Sequence, residues 1–227
     1  MYKKARLFVN LTLSALLMSC ACFSKNIKDV YSDSHNSVVL VKMENGRCSG
    51  FVVRSKNVNY VITAGHCVSS EDPIQEIVFD VDGKETVNKN FDIIVDDDKK
   101  DIAILRPHEK LSTFKPLDID DNIPVPGERL VSMGFPFFSQ GEVEFDTGFF
   151  KTVLEDEKND RLIYIADGVA YRGYSGSAVL NEQGKVVAIV SAIAPMIDIY
   201  GDRFHHTHKD LSILVSSINL KELLKDI

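Results

Sequence analysis

Short apolar runs rich in β-branched and aromatic residues recur at roughly ten-residue spacing along this chain, in two groups. The first group comprises 38–41, 49–53, 60–62, 77–81, 91–95 and 102–105. The second comprises 129–133, 149–154, 161–165, 178–180, 185–192 and 211–215. Runs of this length and composition, separated by turn residues, are typical of β-strands, and many in series are typical of sandwiches and barrels. The chain is therefore predicted to be all-β.

A proline-rich segment, 107–127, separates the two groups and is predicted to be a linker. Leu220, Leu223 and Leu224 recur at helical spacing near the end of the chain, which predicts a short terminal helix over 218–227. A length of 227 residues suits one large domain or two small ones. We therefore predict two six-stranded β-barrels, 27–106 and 128–217, side by side.

The first residues read as an export signal. Basic residues precede an apolar stretch, 7–17, that is short for a membrane span. The sequence "LMSC" then resembles a bacterial lipobox, which predicts a lipoprotein signal over 1–20 and lipidation of Cys20. Cleavage after Ala21 by ordinary signal peptidase, or an uncleaved anchor, are the alternatives. The protein is expected in the periplasm or cell envelope, with membrane contact only through a lipid anchor.

Charge and cysteine usage exclude several classes of function. A net charge of −7 argues against nucleic acid as a partner, because phosphate binding requires a basic face. Outside the export segment the cysteines are Cys48 and Cys67, for which export makes a disulfide chemically reasonable; two free thiols are the alternative. The histidines at 205–208 are expected in a solvated loop rather than at a metal. No metal or other cofactor is predicted.

Three residues could form a catalytic constellation. Ser175, in "GYSGS", is either a nucleophile on a tight turn or part of an ordinary turn between strands. A nucleophilic serine needs a histidine base and an acid that orients it. His66 follows a predicted strand, and Asp101 alone abuts an apolar run, whereas 96–98 reads as a solvated acidic loop. Together the three predict a Ser-His-Asp triad.

The sequences "TAGHC" at 63–67, "DIAIL" at 101–105 and "GYSGS" at 173–177 resemble those of the chymotrypsin-like serine protease superfamily, within it the bacterial HtrA/Deg-like branch. The resemblance extends over 38–225. It implies antiparallel barrels and a serine endopeptidase that hydrolyses protein or peptide substrates through an acyl-enzyme. It also implies that the cysteine in "CSGFVV" pairs with the one after the histidine. A catalytically inactive envelope lipoprotein that binds proteins is the alternative.

The resemblance assigns roles to individual residues. His66 would be the general base and then the general acid, Asp101 would orient it, and Ser175 would attack the scissile carbonyl. The backbone N–H groups of Gly173 and Ser175 would form the oxyanion hole.

The resemblance also implies which residues bind substrate. Ser191, Ala192 and Ile193 would form the edge that pairs with substrate backbone. Val169 would lie near the floor of the specificity pocket, which favours a small or apolar residue before the scissile bond. The alternative is that Asp210 faces the pocket, which would favour lysine or arginine.

The chain departs from the family pattern in three places. Tyr174 stands where mammalian-type trypsins have the aspartate that receives a newly cut N-terminus, so activation by N-terminal cleavage is not expected. Ser177 replaces the usual second glycine after the nucleophile. No sequence for a PDZ domain follows the terminal helix, and the oligomeric state is left open.

Overall fold

A computed structural model describes residues 25–68, 71–81, 84–109, 111, 114–195 and 210–227. The predicted signal peptide with Cys20 and the histidines at 205–208 lie outside the described residues. Among those that are described, no helix is both long enough and apolar enough to cross a membrane.

The described chain contains thirteen strands, two α-helices and short 3-10 turns at His35–Ser37 and Gly65–Cys67. The first half comprises α1 (Ile27–Ser34), β1 (Val38–Met43), β2 (Arg47–Ser55), β3 (Val58–Thr63), β4 (Ile74–Val81), β5 (Lys84–Asn88), β6 (Phe91–Asp97) and β7 (Ile102–Pro107). The second half comprises β8 (Arg129–Gly134), β9 (Glu144–Asp156), β10 (Arg161–Asp167), β11 (Ala178–Leu180), β12 (Val186–Pro195), β13 (Asp210–Ser216) and α2 (Ser217–Lys225).

The first unit is an antiparallel sheet of seven strands in the order β5-β4-β1-β2-β3-β7-β6. It contains the six predicted strands and also β5, which forms a hairpin with β4 at the sheet edge. The sequence of β5, "KETVN", is mostly polar and exposed, so it lacks the apolar run by which the other strands were recognised. The first unit is thus a half-barrel with one more strand than expected.

The second unit is a closed antiparallel barrel in the order β10-β13-β12-β11-β8-β9. All six predicted strands are present, and the terminal helix follows as predicted, with Leu220 and Leu224 buried. The all-β class, with two barrel-like units and a short C-terminal helix, is confirmed.

The N-terminal helix α1 was not predicted. The side chain of Asn26 accepts a hydrogen bond from the N–H of Lys28 at its start, which is a typical N-cap. Ile27, Val30 and Tyr31 follow a helical spacing, and Val30 is fully buried. That short apolar stripe was the signal that could have identified the helix.

The two units share a core. One apolar cluster includes Phe51 and Ile62 of the first unit together with Met133 and Ile189 of the second. The segment between β7 and β8 contacts both units: the N–H of Leu117 donates to the Val52 carbonyl, and the N–H of Asp120 to the Val186 carbonyl, each at 2.8 Å. The two units therefore pack directly against one another, and the candidate site lies at their junction.

Candidate active site

His66 and Asp101 are brought together by adjacent strands. β3 and β7 pair antiparallel, so the turn that follows β3 lies beside the residue that precedes β7. The Nδ1 atom of His66 lies 2.9 Å from Oδ1 of Asp101 and 3.2 Å from Oδ2, and the backbone N–H of His66 donates to Oδ1 at 2.9 Å. The imidazole is 48% exposed whereas Asp101 is buried. The buried carboxyl therefore fixes both the backbone and the ring of His66.

A third group contacts the same carboxyl. The hydroxyl of Ser191, in β12, donates to Oδ2 of Asp101 at 2.5 Å. Burial raises the pKa of Asp101, and the hydrogen bonds from His66 and Ser191 lower it by more than burial raises it. The pKa of Asp101 therefore lies below its ordinary value. The carboxyl is thus ionised at neutral pH. Sequence reasoning had placed Ser191 only on the substrate-binding edge and did not identify this contact, which joins the two units.

Ser175 lies on a tight turn between β10 and β11, with Gly173 and Gly176 on either side at φ values of +98° and +84°. Its carbonyl accepts a hydrogen bond from the N–H of Ser49 in β2 at 2.8 Å. The Sγ atom of Cys67, the residue after His66, lies 4.0 Å from the same carbonyl oxygen. The turn of the second unit therefore packs against the part of the first unit that carries His66.

The peptide groups of this turn have defined directions. The Arg172 carbonyl accepts from the N–H of Phe137 at 2.9 Å, and the Tyr174 carbonyl accepts from the N–H of Ser177 at 2.8 Å. In a trans peptide the N–H points away from the carbonyl. The N–H groups of Gly173 and Ser175 thus point away from these partners, and within the described residues neither donates a hydrogen bond. Two adjacent free donors can bind an anionic oxygen.

The predicted disulfide is confirmed. Cys48 and Cys67 are bonded, with 6.2 Å between their Cα atoms. In the part of the chain that the structure describes, the only group of potential metal ligands with suitable geometry is these two cysteines with His66. Because both sulfurs are taken up by the disulfide, this group does not fit a metal ion.

A cleft of about 980 Å³ opens beside Ser175. The predicted edge residues Ser191, Ala192 and Ile193 line one wall, and the stretch 167–172 contributes the other except for Val169. The structure places Val169 in the barrel core, fully buried, where its N–H donates to the hydroxyl of Ser212. The residues on either side of it in the sequence, Gly168 and Ala170, line the cleft instead.

Two charged residues that sequence reasoning did not select line the cleft. Asp167 accepts from the N–H of Phe149 at 2.8 Å and pairs with Lys151 at 2.5 Å, so its charge is largely compensated. Arg172 is exposed, directly before Gly173. Asp210 begins β13, where its backbone pairs with Pro195, and its side chain lies outside what the structure describes.

Tyr174, directly before Ser175, is fully buried. Its hydroxyl donates to Oδ2 of Asp146 in β9 at 2.8 Å. Burial raises the pKa of Asp146 by more than the hydrogen bond from Tyr174 lowers it, while burial and the nearby carboxyl raise the pKa of Tyr174 well above its ordinary value. At the position before the serine, trypsins have an aspartate that pairs with the new N-terminus. This chain has Tyr174 there, hydrogen-bonded to Asp146 of β9.

Two serine proteases are similar to this chain in sequence. Over 148 residues, 63% of this chain, it is 26% identical to the serine protease Do-like HtrA of Lactobacillus helveticus. Over 188 residues, 76% of the chain, it is 27% identical to the serine protease HtrA-like of Staphylococcus aureus (strain bovine RF122 / ET3-1). These matches span 35% and 23% of the two relatives.

Solved structures share the fold. The Rv3671c protease from M. tuberculosis, in its active form, superposes with a TM-score of 0.65 at 18% identity, covering 86% of this chain and 82% of that one. The serine endoprotease from Yersinia pestis superposes with a TM-score of 0.66 at 15% identity, covering 89% and 66%. At these identities the likeness extends to the fold alone.

The family assignment rests on a match of a different kind. A sequence model of the trypsin-like peptidase domain matches residues 48–189, more than half of the chain, from the first cysteine of the disulfide into β12. That range contains the disulfide, His66, Asp101 and the turn with Ser175. The chain therefore belongs to the trypsin-like peptidase domain family.

Proposed function

We propose that this protein is a serine endopeptidase in which Ser175 is the nucleophile, His66 the general base and Asp101 the residue that orients it. The observation that carries the proposal is the His66–Asp101 pair, with Nδ1 at 2.9 Å from Oδ1, beside the turn that carries Ser175. An ionised, buried carboxyl at Nδ1 favours the tautomer that leaves Nε2 free to accept a proton.

In the proposed reaction, Nε2 of His66 takes the hydroxyl proton of Ser175 as its oxygen bonds to the scissile carbonyl carbon. The resulting tetrahedral intermediate carries a negative oxygen. When it collapses, the carbon–nitrogen bond breaks, His66 gives its proton to the leaving amine, and an acyl-enzyme remains. Water, deprotonated by His66, then attacks the ester carbon. The bond from that carbon to the Ser175 oxygen breaks, His66 returns the proton to this oxygen, and the carboxylic acid product leaves. Asp101 stays ionised and stabilises the imidazolium in both halves.

The N–H groups of Gly173 and Ser175 are proposed to stabilise the negative oxygen. Support comes from their free donors and from the carbonyls of Arg172 and Tyr174, which are held on the opposite side. Donors fixed in advance cost no reorganisation during the reaction, and losing one such donor typically lowers the rate by about 10²–10³.

The substrates are proposed to be polypeptides. The edge of β12 at Ser191, Ala192 and Ile193 borders the cleft, where an extended chain could pair with it. Because the cleft surface beside Gly168 and Ala170 carries no uncompensated acid among the described residues, a small or apolar residue before the scissile bond is favoured over lysine or arginine. The side chain of Asp210 keeps the acidic-pocket alternative open.

An exported location is proposed on two grounds. The basic and apolar N-terminal segment is typical of an export signal, and a disulfide is stable in an oxidising compartment. Attachment through lipidated Cys20 remains a proposal, with plain secretion as its alternative.

Labelling with a fluorophosphonate probe tests the catalytic assignment. The folded wild type should form a covalent adduct on Ser175 and cleave a peptide library, whereas Ser175→Ala and His66→Ala should do neither. Ser177→Ala is the matched control, because it removes a neighbouring hydroxyl and should keep the adduct. Folded wild-type protein without a Ser175-dependent adduct would exclude the endopeptidase and leave an inactive binding protein.

A further inference from the structure

Ser49 connects the first unit to the turn that carries the proposed nucleophile. The side chain lies in β2 and is fully buried. Its hydroxyl donates to the Gly173 carbonyl at 2.9 Å and accepts from the N–H of Phe135 at 2.8 Å. Its backbone N–H donates to the Ser175 carbonyl, and its carbonyl accepts from the hydroxyl of Thr63, both at 2.8 Å. Every polar group of Ser49 is therefore used.

The Ser49 hydroxyl holds the carbonyl end of the peptide group that follows Gly173, whose other end, the N–H of Tyr174, donates to the Tyr171 carbonyl at 3.0 Å. Gly173 has a φ of +98°, and a Cβ there would lie 2.6 Å from the Phe135 carbonyl oxygen, so only glycine fits. The same lack of a side chain lets the flanking peptides turn at low cost. The N–H of Phe137 holds the peptide before Gly173, and Ser49 holds the peptide after it.

Loss of this hydroxyl would leave two buried groups without partners. The N–H of Phe135 would lose its acceptor and the Gly173 carbonyl its donor, and each unpaired buried group typically costs about 1–3 kcal/mol. Rotation of the Gly173 carbonyl toward another donor would lower that cost. That rotation changes ψ of Gly173 and φ of Tyr174, the torsions that lie between the peptide with the Gly173 N–H and the peptide with the Ser175 N–H, so it would change how the two donors are oriented relative to each other.

We propose that Ser49 is a positioning residue for the oxyanion hole, an inference that rests on the proposed endopeptidase function. It does not touch the substrate. Its hydroxyl holds the peptide between the two proposed donors, and this keeps the N–H groups of Gly173 and Ser175 directed at the same developing negative charge. The first unit thereby supplies His66 and also sets the geometry of the donors that belong to the second unit.

The test compares Ser49→Ala with wild type in steady-state hydrolysis of a peptide amide. Because an oxyanion donor acts in the transition state, kcat should fall at least about tenfold while KM stays within about twofold. Affinity for a peptidyl trifluoromethyl ketone, which forms a tetrahedral oxyanion adduct on the serine, should fall by the same factor as kcat/KM. Loss of packing alone would not link these two quantities.

Ser132→Ala is the matched control. Ser132 is also a fully buried strand serine, but its hydroxyl has no hydrogen-bond partner in the described structure, so kcat should stay within about twofold. If Ser49→Ala does not fold, Ser49→Gly removes the same hydroxyl and is measured in the same way.

Unchanged kcat in a folded Ser49 variant, or unchanged affinity for the ketone, would overturn the inference while leaving the endopeptidase assignment in place. Wild-type protein that shows no Ser175-dependent adduct would overturn both. The two failures are thus distinguishable by labelling wild type first.

Discussion

The hydrogen bond between Tyr174 and Asp146 should stabilise the fold, and removing its donor should cost more than neutralising its acceptor. Tyr174→Phe keeps the buried ring but leaves the half-buried Asp146 carboxylate without its 2.8 Å donor. Hydrogen bonds to charged groups contribute about 1.5–3 kcal/mol, and partial solvation of Asp146 reduces the expected loss to about 1–2 kcal/mol. For a protein of this size that corresponds to a fall of about 2–8 °C in Tm.

Asp146→Asn should behave differently, since an amide oxygen still accepts from the tyrosine hydroxyl. Burial raises the folded-state pKa of Asp146 above the ordinary 3.8, so the folded state favours the protonated form. The stability from this group is then fully present below pH 3.8 and is lost as the pH rises through the folded-state pKa. Asn avoids that loss, so Asp146→Asn should match wild type near pH 3.5 and equal or exceed it at pH 7.

Thermal unfolding followed by circular dichroism at several pH values measures these differences. Tyr171→Phe is the matched control, because this neighbouring tyrosine is 44% exposed and should change the unfolding free energy by less than about 0.5 kcal/mol. Equal shifts for Tyr174→Phe and Tyr171→Phe would refute the reasoning. So would an Asp146→Asn variant that loses as much stability as Tyr174→Phe at pH 7.

Three further predictions concern the same region. Ser177→Ala should raise the unfolding free energy by about 1 kcal/mol in urea titrations, because the hydroxyl is buried without a partner in the described structure; a loss of stability would contradict this. Replacing Cys48 and Cys67 by alanine removes a crosslink between residues 19 positions apart and should lower the unfolding free energy by about 3 kcal/mol. Equal unfolding midpoints for wild type with and without reductant would argue against this stabilisation. Because the pKa of Asp101 is lowered in the folded state, its carboxylate stabilises the fold above pH 3.8, and this stabilisation is lost as the pH falls through the folded-state pKa. Melting curves should therefore show that the stability advantage of wild type over Asp101→Asn shrinks in acid. A difference that stays constant with pH would contradict the hydrogen-bonded carboxylate.

Apolar periodicity predicted most of the fold because nearly every strand has at least one buried face. All six strands of the second unit were located in this way. β5 was not predicted because an edge strand pairs with one neighbour and needs no run of buried apolar residues. α1 was not predicted because its apolar stripe consists of only three residues. Local pattern thus failed where an element's stability comes mostly from one neighbour or from a few contacts.

Candidate site residues that lie in a local motif could be named from the sequence, whereas those defined by contacts across the junction could not. His66, Asp101 and Ser175 each lie in a short recognisable sequence, and the structure places all three at the junction. The hydroxyl contacts of Ser49 and Ser191 join residues 124 and 90 positions apart, and no local signal specifies such a distance. In the sequence, a serine within a strand only interrupts the apolar pattern, and its role becomes visible when its hydrogen-bond partner is known.

The turn with Ser175 is held by contacts from both units and by none from the N-terminal residues described. From the first unit, Ser49 binds the carbonyls of Gly173 and Ser175; from the second, Asp146 binds Tyr174. Lys25, the first residue described, donates its N–H to the carbonyl of Glu182, in the loop between β11 and β12. The geometry of the turn therefore depends on the docking of the two units. A change that loosened that docking should therefore affect the donors beside Ser175 before it unfolds either sheet.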